Sequence, residues 1–400
     1  MKAVDEKVEG PENEWQAEKA APGLTGVRLG AASQIGSRRI LMVAGGTGGH
    51  IYPALAVANE LRRRGKLPTS GDGFEIMFLG TNRELESRLI PAAGFPLRRV
   101  AAAGLKGIGG WRKLQNLLVL PRTAMETALV LREFNPDVVV GIGGYLAGPA
   151  LLEAALKDIP TLLIEPNAVP GFTNRALAPV VRMAAVANEE AAAYFGMKGR
   201  VTGQPVRKEF THVAPKKHEP PFTVFIMGGS QGSAAINQCV IRSLPHFKNR
   251  AADLRFIHQT GERDYNAVRR AFEEAELDAE VHPFIDDVPG MFARADLVIS
   301  RAGATAVAEL AAAGKASVLV PFPGATDQHQ LENARALERA KAAYVIEQKA
   351  LTAESLADAV LDLLAQPDRL RDMERAARRL ARPDAAERIA DLIEALAYRR

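Results

Sequence analysis

The 400-residue sequence has little cysteine, few aromatic side chains and no long apolar run. Its single cysteine, Cys239, excludes an intramolecular disulfide and a cysteine-based zinc site, and it favours a reducing compartment. No segment approaches the roughly 18 to 20 consecutive apolar residues that cross a bilayer, and residues 1–36 lack the apolar stretch of a secretory signal. We therefore expect a chain that neither spans a membrane nor is exported.

The sequence also has only a small excess of positive over negative charge. The formal net charge is only +4, whereas a nucleic-acid binder would show a denser basic stripe with aromatic residues between the charges. The sequence contains no Asp-x-Asp pair, which commonly holds the metal ion beside a nucleotide diphosphate. We therefore predict no nucleic-acid partner, no metal site and no cofactor.

The chain does contain short β-rich apolar runs that alternate with glycine turns and helical patterns, as is typical of parallel βαβ units. The series occurs twice, and the expected strands are 40–43, 75–79, 138–142 and 161–164, then 223–227, 254–258, 297–300 and 317–320. We predict an α/β protein with two Rossmann-like domains, each a doubly wound parallel sheet, that face a ligand-binding cleft.

The expected domain boundaries follow from composition. Residues 1–37 mix charges with prolines and glycines and predict a mobile extension, and residues 38–202 form the first domain. Residues 203–221 carry four prolines and predict a linker, which is followed by the second domain at 222–385. Residues 386–400 predict a C-terminal helix that packs back on the first domain.

Each predicted domain opens with a strand that runs into a glycine-rich turn, Gly45 to Gly49 in the first and Gly228 to Gly232 in the second. Glycines let the backbone approach a ligand closely, and the helix that follows offers free N–H groups to an anion. Neither loop has the lysine of a P-loop, and the first lacks the third glycine and the acid of a dinucleotide fingerprint. Nucleotide hydrolysis and nicotinamide binding are therefore disfavoured, while either loop alone could be only a tight turn.

Eight motifs follow one another between residue 39 and the C-terminus. They are Gly45-Gly-Thr-Gly-Gly-His50, Gly143-Gly-Tyr-Leu-Ala-Gly-Pro149, Glu165-Pro-Asn167 with Pro170-Gly-Phe-Thr-Asn174, Gly203-Gln-Pro-Val-Arg207, Gly228-Gly-Ser-Gln-Gly232, Phe284-Ile-Asp-Asp287, Arg301-Ala-Gly-Ala-Thr305 to Glu309, and Asp327-Gln-His-Gln-Leu-Glu-Asn333. Together they resemble the MurG family, the inverting glycosyltransferases of peptidoglycan synthesis with the GT-B fold. The chain departs from the family pattern where it reads Ile164-Glu-Pro-Asn167 and Gly-Tyr-Leu-Ala-Gly.

The resemblance implies transfer of N-acetylglucosamine from UDP-N-acetylglucosamine to the C4 hydroxyl of a muramyl-pentapeptide carried on undecaprenyl pyrophosphate, which converts lipid I to lipid II. It implies that Glu309 accepts the ribose hydroxyls, that the Ile285 backbone pairs with the uracil edge, and that Arg207 and Ser230 hold the diphosphate. The implied donor contacts are Thr47, Gly48, Gly49, Asn167, Arg207, Ser230, Gln231, Ile285, Ala304, Thr305, Ala306, Val307, Ala308, Glu309, His329 and Gln330. The implied acceptor contacts are Gly46, Thr47, Gly48, Gly144, Tyr145 and Asn174.

His50 is the predicted catalytic base. It is the only histidine in a glycine loop, and imidazole titrates close enough to neutrality to take a proton from the acceptor hydroxyl. The alternative role for His50 is to orient the acceptor's pyrophosphate. Two purely structural roles also stay open: Glu309 and Arg207 could form a surface ion pair, and Gln330 and Asn333 could cap a helix.

Between Arg98 and Arg132 the chain carries seven basic residues and one acid. Trp111 and several leucines lie among them, which is the composition of an interfacial amphipathic segment. Because the resemblance implies a lipid-linked acceptor, we predict peripheral binding to the anionic inner leaflet, at the cytoplasmic face of the cell membrane. The predicted contacts are Leu105, Trp111, Lys113, Leu114 and Leu118, and the alternative is a helix with a solvated basic edge.

Three rival functions remain open: a lipid glycosyltransferase with another acceptor, a UDP-sugar 2-epimerase, and a catalytically silent UDP-sugar-binding protein at the membrane. An epimerase should carry acidic catalytic residues in the cleft, and a silent binder need not keep a base.

Overall fold

The computed structural model describes residues 37–45, 48–65, 73–101, 119–229, 231–325 and 328–398. Several predicted features lie outside the described residues. They are the extension up to residue 36, Gly46, Thr47, Ser230, and the predicted membrane contacts Leu105, Trp111, Lys113, Leu114 and Leu118. The backbone of Gly144 and Tyr145 is described, whereas the Tyr145 side chain is not.

The first sheet has seven parallel strands in the order β3-β2-β1-β4-β5-β6-β7. Its strands are β1 (Arg38–Val43), β2 (Phe74–Gly80), β3 (Leu97–Arg99), β4 (Val138–Ile142), β5 (Thr161–Glu165), β6 (Met183–Val186) and β7 (Gly199–Val201). Every residue of the central strands β4 and β5 is buried. Such continuous apolar runs are expected of a parallel sheet that is covered by helices on both faces.

The second sheet has six parallel strands in the order β10-β9-β8-β11-β12-β13. Its strands are β8 (Phe222–Met227), β9 (Leu254–Gln259), β10 (Ala279–His282), β11 (Leu297–Ser300), β12 (Ser317–Leu319) and β13 (Ala343–Val345). We call the seven-stranded sheet and its helices the first half, and the six-stranded sheet and its helices the second half. The predicted fold class, two doubly wound parallel-sheet domains, is confirmed.

The first twelve helices each lie between two successive strands, and the last three follow β13. The helices are α1 (Gly48–Arg64), α2 (Glu84–Ala92), α3 (Val119–Phe134), α4 (Gly144–Leu156), α5 (Phe172–Leu177), α6 (Glu189–Ala193), α7 (Lys208–Thr211), α8 (Ala234–Phe247), α9 (Tyr265–Ala275), α10 (Val288–Arg294), α11 (Ala304–Ala313), α12 (His329–Arg339), α13 (Ala353–Leu364), α14 (Pro367–Leu380) and α15 (Ala385–Ala397). Short 3₁₀ turns lie at Gly196–Lys198, Lys248–Asp253, Glu262–Asp264 and Gln348–Ala350. Among the described residues, none of the helices is both long and apolar enough to cross a membrane.

Helix α1 shows how the sequence produces these elements. Ile51, Leu55, Ala58 and Leu61 recur every three or four residues, and all four are buried against the first sheet. Pro53 is the sixth residue of the helix and has no N–H to donate to the Gly49 carbonyl, which instead accepts a hydrogen bond from Thr305. The apolar stripe therefore determines which face of α1 packs on the first sheet. The first turn of α1 lies beyond the carboxyl end of β1.

Helix α15 returns the C-terminus to the first half. Ile389 and Ile393 are fully buried in the same cluster as the α1 side chains. On the rim of this contact, Nη1 of Arg64 lies 2.7 Å from Oδ1 of Asp391. Helices α1 and α15 thus pack side by side on the same face of the first sheet.

Both strand orders reverse direction beside the first strand of their half. In the first sheet, β2 lies on one side of β1 and β4 on the other, and β8 has β9 and β11 in the same relation. Ligands of doubly wound sheets bind at such switch points, beyond the carboxyl ends of the strands. The turns that follow β1, β4, β8 and β11 are therefore the positions where a site is expected.

Candidate active site

A cavity of about 440 Å³, which we call the cleft, lies between the carboxyl ends of the two sheets. From the first half it is lined by Gly48, Gly49, His50, Tyr52, Leu85, Pro166 and Asn167. The remaining lining residues are Arg207, Met227, Gly229, Gln259, Phe284, Ile285, Val288, Gly303, Ala304, Thr305, Ala306, Glu309, His329 and Gln330. This volume is typical of a small-molecule site, and residues of both halves contribute to it.

His50 lies in the first turn of α1 and reaches back to the glycine loop. Its Nδ1 is 3.1 Å from the carbonyl oxygen of Gly45. Because a carbonyl only accepts hydrogen bonds, Nδ1 carries the proton of the neutral ring and Nε2 keeps its lone pair. Burial lowers the pKa of His50 below its ordinary value, although the Gly45 carbonyl opposes that shift. The ring is therefore neutral at pH 7 and can accept a proton at Nε2.

The turn after β4 closes against the same ring. Gly143 has a φ of +54°, and a Cβ atom on it would lie only 2.7 Å from Nε2 of His50. A side chain at this position would force the imidazole to move, so glycine is required for steric reasons as well as for its backbone angle. Two motifs that are far apart in the sequence, at residues 45–50 and 143–149, thus meet at the His50 ring.

The second glycine loop presents backbone atoms. Gly229 and Gly232 have φ values of +92° and +73°, and the N–H of Gly232 donates to the Gly229 carbonyl at 3.0 Å. A Cβ atom on Gly232 would lie 1.8 Å from the carbonyl oxygen of Thr260, so this turn packs tightly on the chain after β9. Gln231 does not line the cleft but a neighbouring cavity of about 560 Å³, which shares Gly229 and Gln330 with it.

Arg207, on the segment between the halves, is the principal cation of the cleft. Its guanidinium carbon is 4.6 Å from the ring centre of Tyr52 and 4.9 Å from that of Phe210. Nη2 of Arg207 lies 3.8 Å from Oε1 of Glu309. Burial raises the pKa of Glu309 to about 7, and Arg207 acts in the opposite direction. The buried Glu309 and the partly buried Arg207 therefore lie together at the cleft wall and not on an exposed surface.

A buried carboxylate organises the loop that carries Asn167. Glu165 is 1% exposed and ends β5. Its Oε1 accepts from the backbone N–H and the side-chain amide of Asn167 at 2.9 and 3.0 Å. Its Oε2 accepts from the Gly171 N–H at 3.2 Å and from Nδ2 of Asn174 at 2.7 Å. Asn174 is thus held by Glu165 and is not part of the cleft lining. Asn167, which Glu165 also holds, lines the cleft.

Two hydrogen bonds cross from the second half to the first. Oγ1 of Thr305 donates to the carbonyl of Gly49 at 3.1 Å, and Oδ1 of Asn333 accepts from the N–H of Ala168 at 3.1 Å. Nδ2 of Asn333 also donates to the Ala302 carbonyl at 3.2 Å. Asn333 therefore bridges the halves and does not cap α12. Each bond ends on a direct neighbour of a predicted site residue, His50 or Asn167.

Helix α11 begins at Ala304 and points its N-terminus at the cleft. The preceding residue, Gly303, supplies no side-chain cap, so the first N–H groups of the helix are free to bind an anion. Arg207 lines the same cavity. The start of α11 and Arg207 therefore both supply positive charge to the cleft.

The far end of the cleft is apolar. Its apolar lining consists of Met227, Phe284, Ile285 and Val288, and such a surface suits a planar ring of a ligand. At the start of α12, His329 and Gln330 add polar groups to the cleft. Oε1 of Gln330 accepts from the N–H of Phe322 at 3.0 Å, so its amide nitrogen remains for a ligand.

The structure brings most of the predicted side chains together and leaves some apart. Val307 and Ala308 line a smaller cavity of about 120 Å³ beside the segment between the halves. Tyr52, Glu165 and Gln259 complete the site but were not predicted as contacts. Glu165 could have been found, because it stands within a recognised motif, whereas Tyr52 and Gln259 carry no signal in the sequence.

Comparisons with known proteins agree with this geometry. The glycosyltransferase family 28 N-terminal domain matches residues 40–186, and the C-terminal domain of the same family matches residues 223–389. The UDP-N-acetylglucosamine–N-acetylmuramyl-(pentapeptide) pyrophosphoryl-undecaprenol N-acetylglucosamine transferase of Myxococcus xanthus is 43% identical over 361 residues, covering 88% of this chain and 92% of that relative. The crystal structure of Acinetobacter baumannii MurG matches with a TM-score of 0.71 and 31% identity, over 90% of this chain and 99% of that one. The chain belongs to the MurG family.

Membership of the MurG family confirms the predicted GT-B fold and a glycosyltransferase activity that uses UDP-N-acetylglucosamine. A UDP-GlcNAc 2-epimerase from Neisseria meningitidis, solved with UDP-GlcNAc bound, has a TM-score of 0.64 but only 14% identity, over 89% of this chain and all of that one. That likeness concerns the fold alone. The MurG relatives therefore account for the motifs, and the epimerase shares only the framework.

Proposed function

We propose that this chain transfers N-acetylglucosamine from UDP-N-acetylglucosamine to the C4 hydroxyl of lipid-linked muramyl-pentapeptide, with His50 as the general base. The observation that carries the proposal is the position of His50. Its Nδ1 is held by the Gly45 carbonyl, and the ring lines the cleft opposite the N-terminus of α11.

The reaction is a displacement at the anomeric carbon. Nε2 of His50 takes the proton of the acceptor hydroxyl, and the oxygen forms the new bond to the anomeric carbon. The bond between that carbon and the diphosphate oxygen breaks, and UDP leaves with the electron pair. Because the nucleophile attacks opposite the leaving group, the product has the inverted configuration.

The departing diphosphate needs positive charge, and two features of the cleft supply it. Arg207 is partly buried between Tyr52 and Phe210, where its charge is less screened than in open water. The free N–H groups at the start of α11 face the same space. Glu309 is proposed to accept the ribose hydroxyls, and the Ile285 turn to hold the uracil ring. Ser230, outside the described residues, is proposed to assist at the diphosphate.

The test is UDP release from UDP-N-acetylglucosamine, measured with and without the lipid-linked muramyl acceptor. We expect release that depends on this acceptor and a disaccharide product with inverted linkage. A different lipid glycosyltransferase would require another acceptor, an epimerase would act on the donor alone, and a silent binder would release nothing. Any of these three results would refute the proposed reaction.

We also propose that the first half docks on the anionic inner leaflet, at the cytoplasmic face of the membrane. Helices α3 and α4 expose a group of large apolar side chains, with Met125 and Leu156 exposed by 61% and 77%. Leu129 and Leu152, exposed by 41% and 44%, flank them. Single exposed apolar residues are ordinary, but a group on two adjacent helices is typical of a contact surface. Met125 and Leu129 lie within the basic segment between residues 98 and 132.

Sedimentation with vesicles separates the contributions to docking. We expect binding to vesicles that contain an anionic lipid and weaker binding to neutral ones. Met125→Ser with Leu156→Ser should weaken both, whereas Trp111→Ala with Lys113→Ala should weaken mainly the anionic preference. Equal sedimentation of all variants would remove this docking surface. Tyr344, which is 42% exposed in the second half, offers a control in Tyr344→Ser.

A further inference from the structure

Gln259 is a buried glutamine for which the proposed reaction assigns no role. It is the last residue of β9, next to β8 in the middle of the second sheet, and it is 4% exposed. It nevertheless lines the cleft. A buried amide that carries four hydrogen-bonding sites is retained at a cost unless its partners are fixed.

Both ends of the Gln259 amide are engaged. Nε2 donates to the carbonyl of Gly229 at 2.8 Å, and Oε1 accepts from the backbone N–H of Ile285 at 2.9 Å. One partner is in the second glycine loop, and the other is in the turn that carries the apolar end of the cleft. A single side chain thus joins two loops that are 56 residues apart in the sequence, at Gly229 and Ile285.

The two loops are the proposed binding sites of the two ends of one ligand. On the proposed function, the second glycine loop holds the diphosphate and the Ile285 turn holds the uracil ring. The distance between these parts is fixed in a nucleoside diphosphate by its ribose. A protein that must hold both parts at once therefore gains affinity from keeping the two loops at a fixed separation.

We propose that Gln259 is a positioning residue for the donor, which sets the spacing between the diphosphate loop and the base-binding turn. This inference rests on the proposed function and deepens it. Gln259 acts through Gly229 and Ile285, and its loss should weaken binding of UDP-N-acetylglucosamine. The acceptor is proposed to bind on the first half, so its binding should not change.

The backbone at Gly229 explains why the hydrogen bond from Gln259 matters for the position of this loop. Its φ is +92°, and a Cβ atom on it would meet no atom within 4 Å. The loop is therefore loosely packed at this residue, in contrast to Gly232, which packs directly on Thr260. Two donors hold the Gly229 carbonyl, the Gly232 N–H at 3.0 Å and Nε2 of Gln259 at 2.8 Å, and the second joins the loop to β9.

The experiment replaces Gln259 by Met, which keeps the length of the side chain and removes both hydrogen bonds. We expect the KM for UDP-N-acetylglucosamine to rise on the order of tenfold, with kcat and the KM for the acceptor within about twofold of wild type. Gln259→Glu keeps the acceptor for the Ile285 N–H and loses the donor to Gly229, and it should also raise the donor KM. It serves as the second variant if Gln259→Met does not fold.

Gln366→Met is the matched control, because Gln366 is exposed and its amide donates only to the Asp362 carbonyl, at 3.0 Å. It should leave all three parameters unchanged. An unchanged donor KM in both Gln259 variants would overturn the proposal, and so would tighter donor binding, which would mean that Gln259 competes with the base. A parallel fall in kcat and in both affinities would show a merely structural role. Absence of acceptor-dependent turnover in the wild type would instead refute the proposed function.

Discussion

The two glycine loops begin from the same local design and differ in what surrounds them. Each follows the first strand of a sheet and opens a helix at the switch point. The first loop is followed by His50 and is backed by the buried carboxylate of Glu86, whose Oε1 would lie 3.2 Å from a Cβ atom on Gly45. The second loop has two glycines with positive φ, packs on Thr260, and exposes backbone atoms of Gly229 to the cleft.

This difference separates two kinds of chemistry. A loop that offers backbone N–H and carbonyl groups can bind an anion or hold a ligand, but it cannot accept a proton at neutral pH. The imidazole of His50 can. The two strand–turn–helix units therefore differ in function mainly because one of them carries a titratable side chain, His50, that is held in place by its neighbours. Four variants, from the largest expected effect to the smallest, test this specialisation.

Gly143→Ala should have the largest effect, and it should fall on turnover. The new methyl group would lie 2.7 Å from Nε2 of His50 and displace the ring from the acceptor. We expect kcat to fall by roughly a hundredfold or more, because a positioned general base contributes about 10² to 10⁴. Donor binding, measured by calorimetry with UDP-N-acetylglucosamine, should change little.

Gly196→Ala is the control for the Gly143 variant, since Gly196 has the same φ of +54° with nothing near its Cβ position. It places alanine at the same φ without crowding His50, whereas Gly143 also has a ψ of −172°. If both variants lost activity equally, backbone strain and not the position of His50 would explain the result.

Gly232→Ala should act on the donor side and on stability. Its φ of +73° disfavours alanine, and the methyl group would lie 1.8 Å from the Thr260 carbonyl oxygen. We expect the free energy of unfolding in urea to fall by roughly 2 kcal/mol or more, together with weaker donor binding. Gly229→Ala carries similar strain without a clash and should lose about half as much stability. Equal losses would contradict this packing difference.

Glu309→Gln should remove a pH dependence of stability. Burial raises the pKa of Glu309 to about 7 from 4.5, so between these values the folded carboxyl holds a proton that the unfolded one has released. The folded state then binds more protons, and stability falls as the pH rises from about 4.5 to 7, by at most roughly 3 kcal/mol. Urea unfolding at pH 5 and pH 8 should show a smaller difference in Glu309→Gln than in wild type. Identical differences would show that Glu309 does not titrate in this range.

Thr305→Val should have the smallest effect. It removes the 3.1 Å bond to the Gly49 carbonyl while keeping the shape of the side chain. Since one exposed or half-buried hydrogen bond contributes about 1 kcal/mol, we expect kcat to fall by roughly fivefold, with restoration in Thr305→Ser. A variant with full activity would mean that the two halves are held in register by other contacts.

Much of the fold could be predicted because buried parallel strands leave continuous apolar runs. The predicted strands 138–142 and 297–300 have the observed bounds, and most others differ by one or two residues. The short strands β3, β6, β7, β10 and β13 were not predicted. Each has only three or four residues, and several contain polar or charged side chains at a sheet edge, so periodicity carries little signal there. The domain boundaries and the individual site roles stay predictions.

The site could be predicted only in part, for a physical reason. Glycine loops and helix starts are local features and leave local signals, so Gly45 to His50 and Ala304 to Thr305 could be identified in advance. Contacts such as Gln259 to Ile285 or Asn333 to Ala168 depend on how distant segments pack. The sequence therefore predicted Asn333 only as a motif residue or a helix cap, and it contained no sign of the Arg207 contact with Tyr52.

The most direct test of this specialisation is to compare turnover with donor binding in His50→Ala. If His50 is the base, acceptor-dependent UDP release falls by roughly 10² to 10⁴ in kcat, while the Kd for UDP-N-acetylglucosamine stays within about twofold of wild type. If turnover stays near that of wild type, or if donor binding is lost together with turnover, the assignment of proton transfer to the first loop is wrong.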